Sequence, residues 1–161
     1  MIEMKKKFVI IIIFALLLVQ AIVYRKIIKI SPIQVKANEV DKVIMIIYIG
    51  LDSVAKDVTE YEMIYDICQT FSATRMKIAG FWGNSLIADG GGGVCRFHFY
   101  LKSGRVIKVI YFEKGIVSNP IDDTKEACIK FNGIKYVIDD NDAVKLEAFW
   151  DLDLPEYEWR D

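Results

Sequence analysis

Residues 94–112 read VCRFHFYLKSGRVIKVIYF, and this stretch decides the fold. Cys95, Phe97, Phe99 and Leu101 alternate with Arg96, His98 and Tyr100, the period-two pattern of a half-buried strand. Lys102-Ser103-Gly104 then makes a three-residue turn whose last position needs positive φ. The turn sets an antiparallel register, with Leu101 opposite Arg105, Phe99 opposite Ile107, Phe97 opposite Val109 and Cys95 opposite Tyr111. One face of this hairpin becomes almost wholly apolar. A slip of one residue would put Lys108 opposite Phe99, so the register is well specified.

Upstream, residues 43–49 (VIMIIYI) are continuously apolar and rich in β-branched side chains, as expected of a central strand ending at Gly50. A second strand over residues 53–58 pairs with it through Gly50-Leu51-Asp52. Thr59 offers an N-cap, with Glu60 and Glu62 where the helix dipole favours anions. Met63, Ile64, Ile67, Cys68 and Phe71 recur at helical spacing, so residues 60–71 predict an amphipathic helix packed on a sheet. Residues 74–82 predict a strand that leads into a loop over residues 83–93.

Downstream, strands are expected over residues 115–118, 127–131 and 134–138, with Asn132-Gly133 as a hairpin turn. Asp140 or Asn141 can cap a closing helix that carries Val144, Leu146, Phe149 and Trp150. Hairpins rather than crossovers define the class as α+β. The expected architecture is an antiparallel sheet of about five to seven strands, one amphipathic helix packed on it, a C-terminal helix and an N-terminal membrane helix.

The membrane helix is read from a charge-free run, FVIIIIFALLLVQAIV, that extends from Phe8 through Leu16 to Val23 and follows Lys5, Lys6 and Lys7. Its 16 residues span roughly 24 Å as a helix, against about 30 Å of hydrocarbon. Tyr24 extends the run, and Arg25, Lys26 and Lys29 can carry their charges out to the headgroups. A cleaved signal peptide, cut after Ala21 to release a secreted domain, is the competing reading. Ile22 and Val23 continue the run past that cut and favour an anchor. So short a leader is otherwise the part that must cross, which favours the N-terminus inside. The expected localisation is a single-pass protein of the cell membrane with its domain on the extracytoplasmic side. Residues 1–30 form the anchor, 31–41 a juxtamembrane linker broken at Ser31-Pro32, 42–152 the α+β domain and 153–161 an acidic tail.

A net charge of −1 hides a division: residues 1–36 sum to +6 and residues 37–161 to −7. Nucleic-acid binding, which rests on clustered cations, is excluded as an expectation for the domain. The basic leader suits anionic headgroups, while the acidic domain would be held off them. Cys68, Cys95 and Cys128 sit in apolar patterns without CxxC spacing, so buried free thiols are expected, with one bridge and a leftover thiol as the alternative.

Few residues invite chemistry. His98, the single histidine, reads as a strand-surface residue beside Lys108; with Cys95 alone it makes no zinc site. The run Gly90, Gly91, Gly92 and Gly93 lacks the GK[ST] ending of a phosphate loop and reads as a loop tip. With Phe81, Trp82 and Leu86 beside it, that loop is the candidate partner contact. Asp139, Asp140, Asn141 and Asp142 fail the EF-hand spacing at Ala143 and read as helix capping. The tail DLDLPEYEWRD reads as solvated or loosely docked, with partner binding as the alternative. No catalytic, cofactor or metal residue is assigned.

The apolar first strand, a helix ending before Ala73-Thr74-Arg75-Met76-Lys77 and the hairpin FHFYLKSGRVIKVIYFEKG together resemble small membrane-anchored or lipoprotein-like extracytoplasmic domains from low-GC Gram-positive bacteria. The resemblance covers about two-thirds of the chain, and the lipid-attachment cysteine of some such proteins is missing. It implies location and fold and assigns no site, because the activity of those domains is itself unknown. The expected function is a membrane-tethered binding domain without catalysis, meeting lipid through its leader and a protein or envelope component through its domain. Alternatives are an envelope hydrolase using carboxylates such as Asp89 or Asp122, and an inhibitor or immunity-type protein.

Overall fold

A computed structural model describes residues 10–20, 29–49, 52–81, 93–114, 126–154 and 156–157. The expected strand at 115–118 and most of the expected loop at 83–93 lie outside them. Residues 10–20 form helix α1. Strands β1 (Val40–Ile49) and β2 (Asp52–Val58) are followed by helix α2 (Tyr61–Ala73) and strand β3 (Met76–Phe81). Then come β4 (Val94–Leu101), β5 (Val106–Phe112), β6 (Cys128–Phe131), β7 (Ile134–Ile138), helix α3 (Asp140–Glu147) and β8 (Glu156–Tyr157).

All strand pairs are antiparallel, in the order β3-β7-β6-β5-β4-β1-β2-β8. Seven strands have four residues or more and the eighth has two, so the fold is α+β with a C-terminal helix. The hairpin register is the expected one: Cys95 faces Tyr111, Phe97 faces Val109 and Phe99 faces Ile107. Gly104 takes φ +82°, and Leu101 N–H donates to the Arg105 carbonyl at 2.9 Å. Asn132 (φ 50°) and Gly133 (φ 75°) make the tight turn between β6 and β7.

The core lies between the sheet and its helices. Helix α2 buries Ile64, Ile67, Cys68 and Phe71 as its spacing predicts. Phe71 meets Phe97 and Phe99 edge-on, with ring centroids 4.9 and 5.6 Å apart. Such aromatic pairs add about 0.5–1.5 kcal/mol beyond the area they bury.

Several local expectations are corrected. Thr59 is not the N-cap of α2; Glu60 is, without a side-chain bond, and the first turn closes through Ile64 N–H and the Glu60 carbonyl. Asp139, rather than Asp140 or Asn141, caps α3, its carboxylate accepting from Asp142 N–H at 3.2 Å. Capping needs the last non-helical residue, and α3 begins one position earlier than the acidic cluster suggests. Val144 is 63% exposed, because Ala143 and Leu146 take the buried face of this short helix.

His98 is not a surface residue: it is 5% exposed. The second sheet face has buried clusters of its own, Ile44, Ile46 and Ala55 in one and Val94, Phe112 and Cys128 in the other. Strand β4 is therefore largely buried on both faces, whereas Val106 and Lys108 of β5 stay exposed. The stretch 31–41, expected as a linker, contributes Ile33, Val35, Ala37 and Val40 to the main core. Ile30 and Met76 exchange backbone hydrogen bonds of 2.9 and 2.8 Å, joining that stretch to the edge strand β3. At the other chain end, Glu156 and Tyr157 pair with Lys56 and Ala55, so this section of the expected tail is a strand.

No helix among the described residues is long and apolar enough to cross a membrane. The described part of helix α1, eleven residues, spans about 17 Å. Phe8 and Val23, the ends of the expected segment, lie outside the described residues.

Candidate functional site

The strand directions define two ends of the sheet. At the first, Val94, Phe112 and Cys128 are neighbours on β4, β5 and β6. Gly93 stands just before Val94. Its N–H donates to Glu113 Oε2 at 2.9 Å, and its carbonyl accepts from Glu113 N–H at 3.0 Å. A β-carbon on Gly93 would stand 2.1 Å from two atoms of the Trp150 ring, so only glycine allows this packing. Trp150 also meets the Tyr111 ring edge-on at 5.8 Å.

Tyr111 is fully buried, and its hydroxyl donates to Glu147 Oε1 at 2.5 Å. Burial, then the bond to Glu147, hold the phenol well above its usual range, so it stays a neutral donor. Lys56 reaches from β2 and donates to the carbonyls of Trp150 (2.7 Å) and Leu152 (2.6 Å). Lys29 pairs with Asp139 at 2.9 Å and Lys114 with Asp140 at 3.0 Å. The polar groups here are spent on holding α3 and the chain beyond it against the sheet.

The opposite end carries the turns Lys102-Ser103-Gly104 and Asn132-Gly133. The two hairpins differ in reach, since β5 pairs with β6 only from Val109 onward. Val106, Ile107 and Lys108 thus run past the end of β6 and leave a notch of about 510 Å³ lined by Arg105, Val106, Ile107, Lys108, Phe131 and Asn132. Arg105 and Lys108 are exposed, and neither they nor Lys130 forms an ion pair among the described residues.

Between the ends, the second sheet face holds a row of cations over aromatic rings. The Arg96 guanidinium lies 4.8 Å from the Tyr48 ring centroid, and Lys42 Nζ lies 5.5 Å from that of Tyr100. Lys42 also pairs with Asp57 at 3.6 Å. Burial, followed by Lys108 and Arg96, lowers the His98 pKa, so the imidazole is neutral at pH 7. All three cysteines are free and buried; burial pushes the Cys68 thiol up to about 11.

The structure separates the residues of the expected contact loop. Phe81, opposite Ile134, lies at the turn-bearing end, whereas Gly93 lies at the other. Trp82, Leu86, Gly90, Gly91 and Gly92 fall outside the described residues, as do Asp89 and Asp122. The notch was missed because each of its residues is unremarkable alone. The signal that could have found it was the unequal length of the two hairpins.

Comparison with protein-family models, with curated proteins and with solved structures gives no match. The likeness to small extracytoplasmic domains therefore rests on the sequence features quoted for it.

Proposed function

We propose that this protein is a membrane-tethered interaction module, without catalysis, whose domain stands on the extracytoplasmic side. The observation that carries the reading is helix α1, where nine large apolar side chains from Ile10 to Val19 are 43–66% exposed. Moving such a side chain from water into an apolar medium is worth about 1.5–3 kcal/mol. A helix with apolar residues all round suits lipid, and in the sequence the apolar run reaches from Phe8 to Val23. Lipid is the partner of this segment, and a protein or envelope component is the partner of the domain. The partner contact is proposed at Phe81, Trp82, Leu86 and Gly90 to Gly93, of which Gly93 is held by Glu113 and packed on Trp150.

Cell fractionation tests the reading. The full chain is expected in an alkali-resistant membrane pellet, digestible by protease added from outside. Leu16→Arg with Leu17→Arg is expected to shift it to the soluble fraction, since each charge costs about 2.5–3.5 kcal/mol at a bilayer centre. Uncleaved wild-type chain in the soluble fraction would overturn the tether.

A further inference from the structure

The notch at the turn-bearing end has a backbone edge as well as a charge. On the β4 side, β5 is paired along its whole length, from Val106 opposite Tyr100 to Phe112 opposite Val94. On the β6 side, pairing stops at Val109. The N–H and C=O groups of β5 that point past Phe131 thus have no strand beside them among the described residues. The other two strand edges are managed differently: β8 covers a short stretch of β2, and an irregularity between Ile78 and Gly80 interrupts β3.

Side chains alternate along a strand, so Arg105 and Lys108 stand on opposite sides of this edge. Lys130, half-buried, lies on the Lys108 side, one row further along. Val106, Ile107 and Phe131 form the apolar walls between them. Of the other exposed cations, Lys29, Lys36, Lys114 and Lys145 each meet a carboxylate, whereas Arg75 and Lys77 at the start of β3 form no ion pair among the described residues. Here two exposed cations flank a strand edge, and neither meets an acid among the described residues.

We infer that this notch receives a short extended segment of a partner protein whose carboxylates lie on both of its faces. The segment adds to β5 in line with β6, its backbone pairing with residues 106–108, its acids meeting Arg105 on one side and Lys108 with Lys130 on the other. The inference names the partner chemistry of the interaction module proposed above and rests on that reading for its orientation. The leader joins the fold at Ile30, bridged to Met76 at the end away from the notch. The notch therefore opens away from the bilayer, toward a protein rather than toward headgroups.

The test uses the full-length protein in neutral detergent micelles and a fluorescein-labelled peptide of repeating Glu-Glu-Val-Val, which as a strand carries carboxylates on both faces, followed by anisotropy. Three comparisons accompany it: the peptide with lysine for glutamate, the glutamate peptide with N-methylated backbone, and the protein variants Arg105→Glu/Lys108→Glu and Arg105→Gln/Lys108→Gln. Saturable binding of the glutamate peptide is expected, at least tenfold weaker in both variants at unchanged thermal midpoint and lost on N-methylation or with lysine. The neutral glutamine variant keeps the result readable should the charge-reversed one fold poorly. Absence of saturable binding, equal binding of the N-methylated peptide, or binding unaffected by the glutamine variant would each overturn the inference. None of these outcomes bears on the membrane address, which fractionation reads separately.

Discussion

The two ends of the sheet use their charged groups in opposite ways. At the Gly93 end a set of polar groups has an internal purpose: Glu113 holds Gly93, Glu147 holds Tyr111, Lys56 holds the chain after α3, and Lys29 and Lys114 hold the start of α3. At the turn-bearing end Arg105 and Lys108 form no ion pair among the described residues, and the strand between them has no strand beside it there on the β6 side. Groups bound internally set stability, while unbound groups on a rigid edge are available to a partner. The lesson is that the same residue types, cations and carboxylates, must be read by what they already touch.

Variants can break this contrast, most severely at Gly93. Gly93→Ala drives a methyl group into the Trp150 ring, and an expected loss of about 3 kcal/mol, the upper end of the usual overpacking range, is measurable by chemical denaturation. Tyr111→Phe leaves the half-buried Glu147 carboxylate without its donor and is expected to cost about 1–2 kcal/mol. It should also blunt alkaline unfolding. The raised Tyr111 pKa adds stability that is fully present below its unfolded value near 10 and is lost as pH rises above it. An alkaline limb with the same midpoint in Tyr111→Phe would contradict that assignment.

His98 sharpens the contrast from the middle of the sheet. Its lowered pKa means that stability is present above the unfolded value of about 6.5 and declines as pH falls below it. Lys108→Gln removes one of the cations that lower it, so the imidazole resonances in a pH titration should move at a higher pH than in wild type. The smallest effect belongs to the turn-bearing end. Arg105→Gln/Lys108→Gln should leave unfolding free energy within about 0.5 kcal/mol of wild type, as expected for exposed residues outside any internal network. A larger loss would place these cations among the structural ones.

How much of this was legible depended on the distance over which each feature is encoded. The β4–β5 register follows from alternation and one glycine turn, both local, and it agrees residue by residue. The α2 face followed from spacing in the same way. The packing of Ile33, Val35 and Ala37 also has a local signal, period-two alternation, but Ser31-Pro32 and the neighbouring apolar run drew attention to a linker instead. Burial of His98 was illegible from its own strand, because the second face is closed by residues from β1, β2, β5 and β6. The Gly93–Trp150 contact joins positions 57 apart in sequence, and nothing near either residue announces the other. The notch is of this second kind: it exists only through the difference between two strand lengths.

The bridge between Ile30 and Met76 also decides how the molecule meets mechanical load. Among the described residues, a pull applied ahead of Lys29 first meets the Ile30–Met76 pair on an edge strand, secured by two backbone hydrogen bonds, the Lys29–Asp139 ion pair and the Ser31 hydroxyl donating to the Thr74 carbonyl. These attachments open in succession, in the manner of a zip, before strain reaches Ile33 or the strands behind it. The residues ahead of Ile33 then extend by up to about 3.5 Å each. Tension on this segment is thereby absorbed as length, and the far end of the sheet keeps its shape while the near end yields.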